Sequence, residues 1–313
     1  MNGLTRRELL KTTAAAALAG GAHAATGSLP TRRLGRINFQ ASMLGLGSQY
    51  LGDPGVEQAH VNRFIAEAVD NGLNYIDTAP PYGESEVRLG PALKGLRDKV
   101  FLVSKVETNA RGDATYQIKD SLRKLQTDYL DCVLIHNVGR TDRYPDIKQV
   151  IAGDGTLGAL VAAKKQGLIR HIGLTAHLRP ARALPVIETG EIELCMFLLN
   201  FVERHIYGFE EKVMPECRKR NIGVIAMKVL GGPVRNGPGR LISEEDYSAS
   251  LRYVWGLPGL SVALVGMRNQ EELRRALAAA RAYRPLDQPE MTAVTERGKV
   301  LAAQWGQLRG PVV

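Results

Sequence analysis

Val100-Phe101-Leu102-Val103-Ser104-Lys105, then Tyr116-Gln117-Ile118-Lys119-Asp120-Ser121-Leu122-Arg123-Lys124-Leu125, then Leu130-Asp131-Cys132-Val133-Leu134-Ile135-His136: an apolar run, an amphipathic stretch and a second apolar run. In the middle segment Ile118, Leu122 and Leu125 recur at i, i+4 and i+7, with Lys119, Asp120, Arg123 and Lys124 on the other face. That spacing predicts a helix with one buried side. The flanking runs show almost no polar alternation, which predicts strands buried on both faces. Such strands, joined by a helix, are parallel neighbours.

Outward from this block the same unit recurs. Strand-like runs fall at Met43–Gly45, Asn74–Asp77, Ile169–Thr175, Glu193–Asn200, Ile222–Lys228 and Leu260–Val265. Helix-like stretches fall at Gln58–Asn71, Leu157–Gln166, Tyr207–Arg220, Glu244–Trp255 and Asn269–Arg281. Eight strands alternating with helices over roughly 250 residues predict an α/β fold, a single (β/α)8 TIM barrel. The rival, an open doubly wound sheet, announces its dinucleotide with G-x-G-x-x-G in the first turn. Gly45-Leu46-Gly47-Ser48-Gln49-Tyr50 has no third glycine and no helix directly behind it. Arg33–Ala41, with Gly35 and Asn38 as turn residues, predicts an N-terminal β-hairpin, and Glu290–Leu308 a C-terminal helix within the tail Pro285–Val313. Residues 31–313 contain no linker or low-complexity tract and read as one domain.

The 313 residues are 44% apolar and 23% charged, which excludes collagen, coiled coil, disulfide scaffold and bulk disorder. Lys and Arg total 41 against 32 Asp and Glu, a net charge of +9. These cations are scattered along the helix-like stretches, which argues for a solvated surface and against nucleic acid as a partner. Cys132, Cys195 and Cys217 lie in apolar segments without paired spacing, so neither a disulfide framework nor an iron–sulfur cluster is expected. The histidines show no ligand spacing, and no metal is expected.

Residues 1–24 stand apart. Thr5-Arg6-Arg7-Glu8-Leu9-Leu10-Lys11 is followed by the weakly apolar Thr12–Gly21 and the small-x-small site Ala22-His23-Ala24. The segment resembles a bacterial twin-arginine export signal; an ordinary basic N-terminal helix is the alternative. The resemblance implies the twin-arginine translocation machinery as a partner, export of the folded protein and a periplasmic location, with the cytoplasm as the alternative. Thr12–Ala22 is too short to span a bilayer, so no stable membrane anchor is expected after cleavage.

Chemistry in a (β/α)8 barrel gathers at the C-terminal ends of the strands. The second, third and fourth strand-like runs end on Asp77, Lys105 and His136, and Tyr82 lies in the loop Asp77-Thr78-Ala79-Pro80-Pro81-Tyr82-Gly83-Glu84-Ser85-Glu86. Each residue alone has a structural alternative: a helix cap, a loop-packing ring, a solvated strand end, a buried histidine. On one rim they make a proton-transfer set. A lysine cation lowers a phenol from its usual pKa of ~10, a carboxylate holds the lysine, and an imidazole hydrogen-bonds the oxygen that receives the proton.

With Leu34-Gly35-Arg36, Leu44-Gly45-Leu46-Gly47, Ser104-Lys105, Leu125-Gln126-Thr127-Asp128-Tyr129-Leu130-Asp131 and Ile172-Gly173-Leu174-Thr175, these residues make the chain resemble the aldo-keto reductases from Thr31 to about Arg281. The resemblance implies a catalytic tetrad of Asp77, Tyr82, Lys105 and His136. It also implies reduction of a small-molecule aldehyde or ketone to an alcohol, with Tyr82 as general acid and His136 donating a hydrogen bond to the carbonyl. NADP is the implied cofactor, with NAD possible, lying across the barrel rim. Its implied contacts are Thr175, in a Thr175-Ala176 pair where Ser-Asn is common, then Asn200, Lys228, Gly231, Gly266 and Arg268. Met196 stands where a glutamine is frequent, and Glu272 and Arg275 where amides are frequent. An ordinary glycine turn at Lys228–Gly231 and a surface arginine at Arg268 are the alternatives. Tyr50, Tyr82, Val106, Asn137 and Val138 are expected to wall the pocket, and Val138–Gln149 and Pro233–Leu241 to cover it. A nicotinamide-binding redox sensor or accessory subunit with little turnover is the second functional class.

Overall fold

The structure is a computed structural model that describes residues 28–232 and 241–313. The export-signal segment 1–24 and most of the second expected lid, 233–240, lie outside the described residues. Strands β1 (Thr31–Leu34) and β2 (Ile37–Ser42) pair antiparallel as the hairpin. Strands β3 (Leu44–Gly47), β4 (Tyr75–Asp77), β5 (Phe101–Val106), β6 (Leu130–Ile135), β7 (Ile169–Ala176), β8 (Leu194–Leu198), β9 (Gly223–Met227) and β10 (Leu260–Gly266) form a closed barrel, β10 pairing with both β9 and β3. All eight barrel pairings are parallel. The TIM-barrel expectation holds, because strands this apolar need cover on the outside and side chains filling the inside.

The helices are α1 (Gln58–Asp70), α2 (Ser85–Ala92), α3 (Arg111–Lys124), α4 (Ile147–Ile151), α5 (Thr156–Lys165), α6 (Ala183–Glu188), α7 (Phe209–Lys212), α8 (Met214–Lys219), α9 (Tyr247–Trp255), α10 (Gln270–Arg281) and α11 (Gln288–Trp305). In α3, Ala114, Ile118 and Leu122 are buried, while Asp120 pairs with Arg123 and Lys124 on the outer face. The stretch expected as one helix, Tyr207–Arg220, is two. The chain breaks at Val213, and Pro215 sits in the first turn of α8, where its missing N–H costs nothing but would have broken a continuous helix. The tail helix starts behind an Asp287–Glu290 capping box and stops at Gly306, whose φ of 58° ends the helical path.

The hairpin covers the N-terminal end of the barrel. Gly35 bridges to Ile222, and a Cβ there would lie 2.3 Å from the Gly223 nitrogen, so only glycine fits. Arg36 donates to the carbonyls of Gly190, Ile192 and Arg220, and Arg32 to those of Trp255 and Leu260. With this end bolted shut, the strands' C-terminal rim is the open one. Among the described residues no helix is long and apolar enough to cross a membrane, no group of residues could hold a metal ion, and the three cysteines are free and buried.

Candidate active site

Register explains why distant residues meet. Asp77 pairs with Val103 across β4 and β5. Strand residues alternate faces, so Lys105, two beyond Val103, shares the face of Asp77. Lys105 lies opposite Leu134, and Leu134 opposite Gly173, so the same count puts Glu107, His136, Thr175 and His177 on that face too. Tyr82 reaches the rim from the loop after β4.

Lys105 is the hub. Its Nζ donates to Asp77 Oδ2 at 2.7 Å, to the Thr78 carbonyl at 2.8 Å and to the Tyr82 hydroxyl at 3.3 Å, using all three N–H bonds. The Lys105 and Asp77 side chains are each 1% exposed. A buried pair is strongly interdependent: deleting one partner strands the other, at about 3–5 kcal/mol. Burial pulls the ammonium down, but Asp77 and then Tyr82 overcome it and hold Lys105 above its ordinary pKa. Burial raises Asp77 although Lys105 opposes it. For Tyr82 burial likewise outweighs Lys105, and the phenol lies above its ordinary value. The lowering expected from Lys105 is thus present but beaten by desolvation, so Tyr82 stays protonated at neutral pH. A phenol remains a competent donor to an alkoxide, which is the stronger base.

His136 is 8% exposed, and its buried Nδ1 lies close against Glu107 Oε1 without making a hydrogen bond to it. Arg143 holds the other oxygen of Glu107 at 2.6 Å. Burial pushes Glu107 upward, but His136 and Arg143 prevail and bring it to about 2. Burial takes His136 down to about 4, Glu107 opposing and Lys105 assisting. The ring of His177 lies 5.8 Å away, edge-on. Sequence reasoning gives Glu107 no role. The signal for Glu107 was the two-residue step in Lys105-Val106-Glu107.

A cleft at the rim is lined by Tyr50, Tyr82, His177, Met196, Lys228 and Gly266, among others. The expected cofactor residues fall on both sides of its wall. Lys228, with φ of 55°, and Gly266 line it. Burial, then Arg309, bring the Lys228 ammonium to about 8, against Glu203. Thr175 and Asn200 are fully buried. Thr175 Oγ1 accepts from the Asn137 N–H, and Asn200 is spent on Glu203, the Lys228 carbonyl and the Val202 N–H. Gly231 faces the tail: its carbonyl accepts from Arg309, and a Cβ there would lie 2.7 Å from the Trp305 ring, leaving Gly232 at the cleft. The Arg268 guanidinium lies 3.9 Å over the Tyr50 ring, and its backbone N–H donates to Glu272. The cleft therefore carries a lysine and backbone-exposing glycines, which suit an anionic pyrophosphate, beside the apolar Met196 and Leu264, which suit a flat ring. A nicotinamide dinucleotide fits this lining.

The Aldo/keto reductase family model matches residues 43–241. The methylglyoxal reductase YeaE of Escherichia coli (strain K12) is 33% identical over 204 residues, 62% of this chain and 66% of that one. An aldo-keto reductase from Bacillus halodurans, solved in its holo form, superposes with a TM-score of 0.71 at 24% identity, covering 90% of this chain and all of that one. The aldo/keto reductase from Klebsiella pneumoniae, solved with NADP and acetate, gives a TM-score of 0.67 at 24% identity over 85% of this chain and 94% of its own. At such identity the two structures speak for the fold; the family model, spanning more than half of the sequence, goes further. The chain belongs to the aldo/keto reductase family and is an NAD(P)H-dependent oxidoreductase.

Proposed function

We propose that the protein reduces a small aldehyde or ketone to the alcohol, with Tyr82 as the proton donor and NADP as the cofactor. The observation that carries this reading is the contact of the Tyr82 hydroxyl with a fully buried ammonium, Lys105, itself fixed by Asp77. The reduced dinucleotide, when bound, supplies the hydride. Tyr82 gives its proton to the carbonyl oxygen as that oxygen gains negative charge. Lys105 steadies the phenolate left behind, and Asp77 keeps Lys105 charged and in place. Lys228 and the backbone at Gly232 and Gly266 would hold the pyrophosphate. Arg268 favours the 2′-phosphorylated cofactor, while Glu272 on the same turn opposes it.

Tyr82→Phe tests the reading. Turnover of a carbonyl panel should fall by about 10²–10⁴-fold, while binding of NADPH or NADH, read by fluorescence titration, stays unchanged. Full activity in the variant would remove Tyr82 from the role. A second reading, a dinucleotide sensor with little turnover, is favoured by two features: Thr175 Oγ1 already accepts a hydrogen bond, and Met196 stands at the cleft in place of an amide. Tight binding without turnover in the unaltered protein would decide for it. We also propose that residues 1–24 direct the folded enzyme through the twin-arginine machinery to the periplasm.

A further inference from the structure

We propose that the segment following α11 belongs to the dinucleotide seat: Arg309 is a positioning residue that clamps the turn Lys228–Gly231 at both ends and thereby sets how tightly, and for how long, the dinucleotide is kept. The proposal rests on the reading above that this turn meets the pyrophosphate, and it adds a residue that no strand-end pattern marks.

Arginine is almost never buried unless paired. The Arg309 side chain is 6% exposed, and its carboxylate partner, Glu203, 1%. Arg309 Nε donates to Glu203 Oε1 at 2.8 Å. Its Nη2 donates to the Gly231 carbonyl at 2.8 Å and, at 3.4 Å, to Glu203 Oε2. The planar fork thus binds a carboxylate and a backbone carbonyl together, which a single ammonium does not reproduce. Glu203 carries the hold onward. Its Oε2 accepts from the Asn200 amide at 2.7 Å, and the same amide donates to the Lys228 carbonyl at 3.1 Å. The Gly231 N–H closes the turn on that carbonyl at 2.7 Å. One end of the turn is therefore tied to Arg309 directly, and the other through Glu203 and Asn200.

The turn needs such a hold. Lys228 has a φ of 55°, and a non-glycine residue stays in that region only where its surroundings over-determine it. The segment that supplies the hold is itself pinned. The Arg309 N–H donates to the buried Tyr207 hydroxyl at 2.9 Å, which donates to the Gly310 carbonyl at 3.1 Å.

Arg309 also acts through charge. Among the described residues, the titratable groups facing Lys228 are Arg309, Glu203 in the turn after β8, Lys105 on β5 and His177 after β7. Arg309 weighs more on the Lys228 ammonium than Glu203 does, and with the opposite sign. Removing Arg309, alone or together with the Glu203 charge, therefore leaves Lys228 charged to higher pH.

Two measurements on the full chain test the clamp: the release rate of NADPH by stopped-flow fluorescence at pH 7, and NADPH affinity titrated from pH 6 to 10. Arg309→Met should release NADPH about tenfold faster or more, and the pH at which affinity falls, about 8 in the unaltered protein, should move upward. Arg309→Lys should release faster too but keep the pH of the fall, because the charge remains while the fork is lost. Should Arg309→Met fail to fold, the paired variant Arg309→Met with Glu203→Gln leaves neither buried charge behind and carries the same two expectations. Unchanged release in these variants overturns the proposal. So does binding weakened at every pH with the fall unmoved, which is what a merely structural role would give. Lys228→Met separates the two layers: if it binds NADPH as tightly as the unaltered protein at pH 7, the seat at this turn is struck and the clamp with it; if it binds weakly while the Arg309 variants match the unaltered protein, the clamp alone is struck.

Discussion

Lys228 ties the chemistry of one side chain to the protein's response to pH. Its backbone is left-handed, it lines the cleft, and burial with Arg309 nearby brings its ammonium to about 8. A lysine is charged below its pKa, so the cleft offers this cation to a pyrophosphate at pH 7 and loses it as pH rises through about 8. Dinucleotide affinity, followed by fluorescence titration, should hold steady below pH 7 and weaken by up to roughly tenfold toward pH 9. Lys228→Met should bind weakly and show no such fall. Strand ends made Asp77, Lys105 and His136 legible from sequence, because an ionisable group closing an apolar run has few places to go but the rim. Period-two counting also reaches Glu107 and His177. The commitments of Thr175 and Asn200 were beyond reach. Both depend on partners set by the fold, the Asn137 N–H and the buried Glu203, which no local pattern reports.

At the level of elements, α7 holds a charge that behaves against its type. Glu210 accepts from the Tyr253 hydroxyl of α9 at 2.7 Å, and burial raises its carboxyl to about 7, Tyr253 and Arg204 opposing. A carboxyl whose folded pKa exceeds its unfolded value stabilises the fold below the unfolded value, near 4.5, and loses that contribution as pH rises through about 7. The stability lead of the unaltered protein over Glu210→Gln, read by thermal unfolding, should therefore shrink between pH 5 and 8 by an amount on the order of 2 kcal/mol, while the buried His136 and His177 contribute a slope of the opposite sign to both proteins. A lead that does not change with pH would assign the effect to another group. The same region shows where reading elements from sequence fell short. Apolar spacing across Tyr207–Arg220 is continuous, but Pro215 and the turn at Val213 divide it, and the spacing is indifferent to a missing N–H. The long units α1, α3 and α10 were legible because each repeats its apolar face over three turns or more. The short α4 and α6 offer no such repeat.

Over the whole molecule, the two ends of the barrel do different work. The hairpin and its arginines seal one. The other is finished by the tail, where Arg309 pairs with the buried Glu203, which in turn holds Asn200 and flanks Lys228. If the proposed export of the folded protein is right, replacing Arg6 and Arg7 by lysine should retain it in the cytoplasm, with thermal unfolding of the retained protein unchanged. Undiminished appearance in the periplasmic fraction would refute the twin-arginine route. The seam of the cylinder joins β3, at the start of the chain, to β10, near its end. No ribosome-bound fragment short of that last strand encloses a ring, and none has the Arg309 latch beside the cleft. Chains cut short of β10 or of Arg309 thus leave the dinucleotide seat unfinished, and a loaded seat marks a chain made at least as far as that latch.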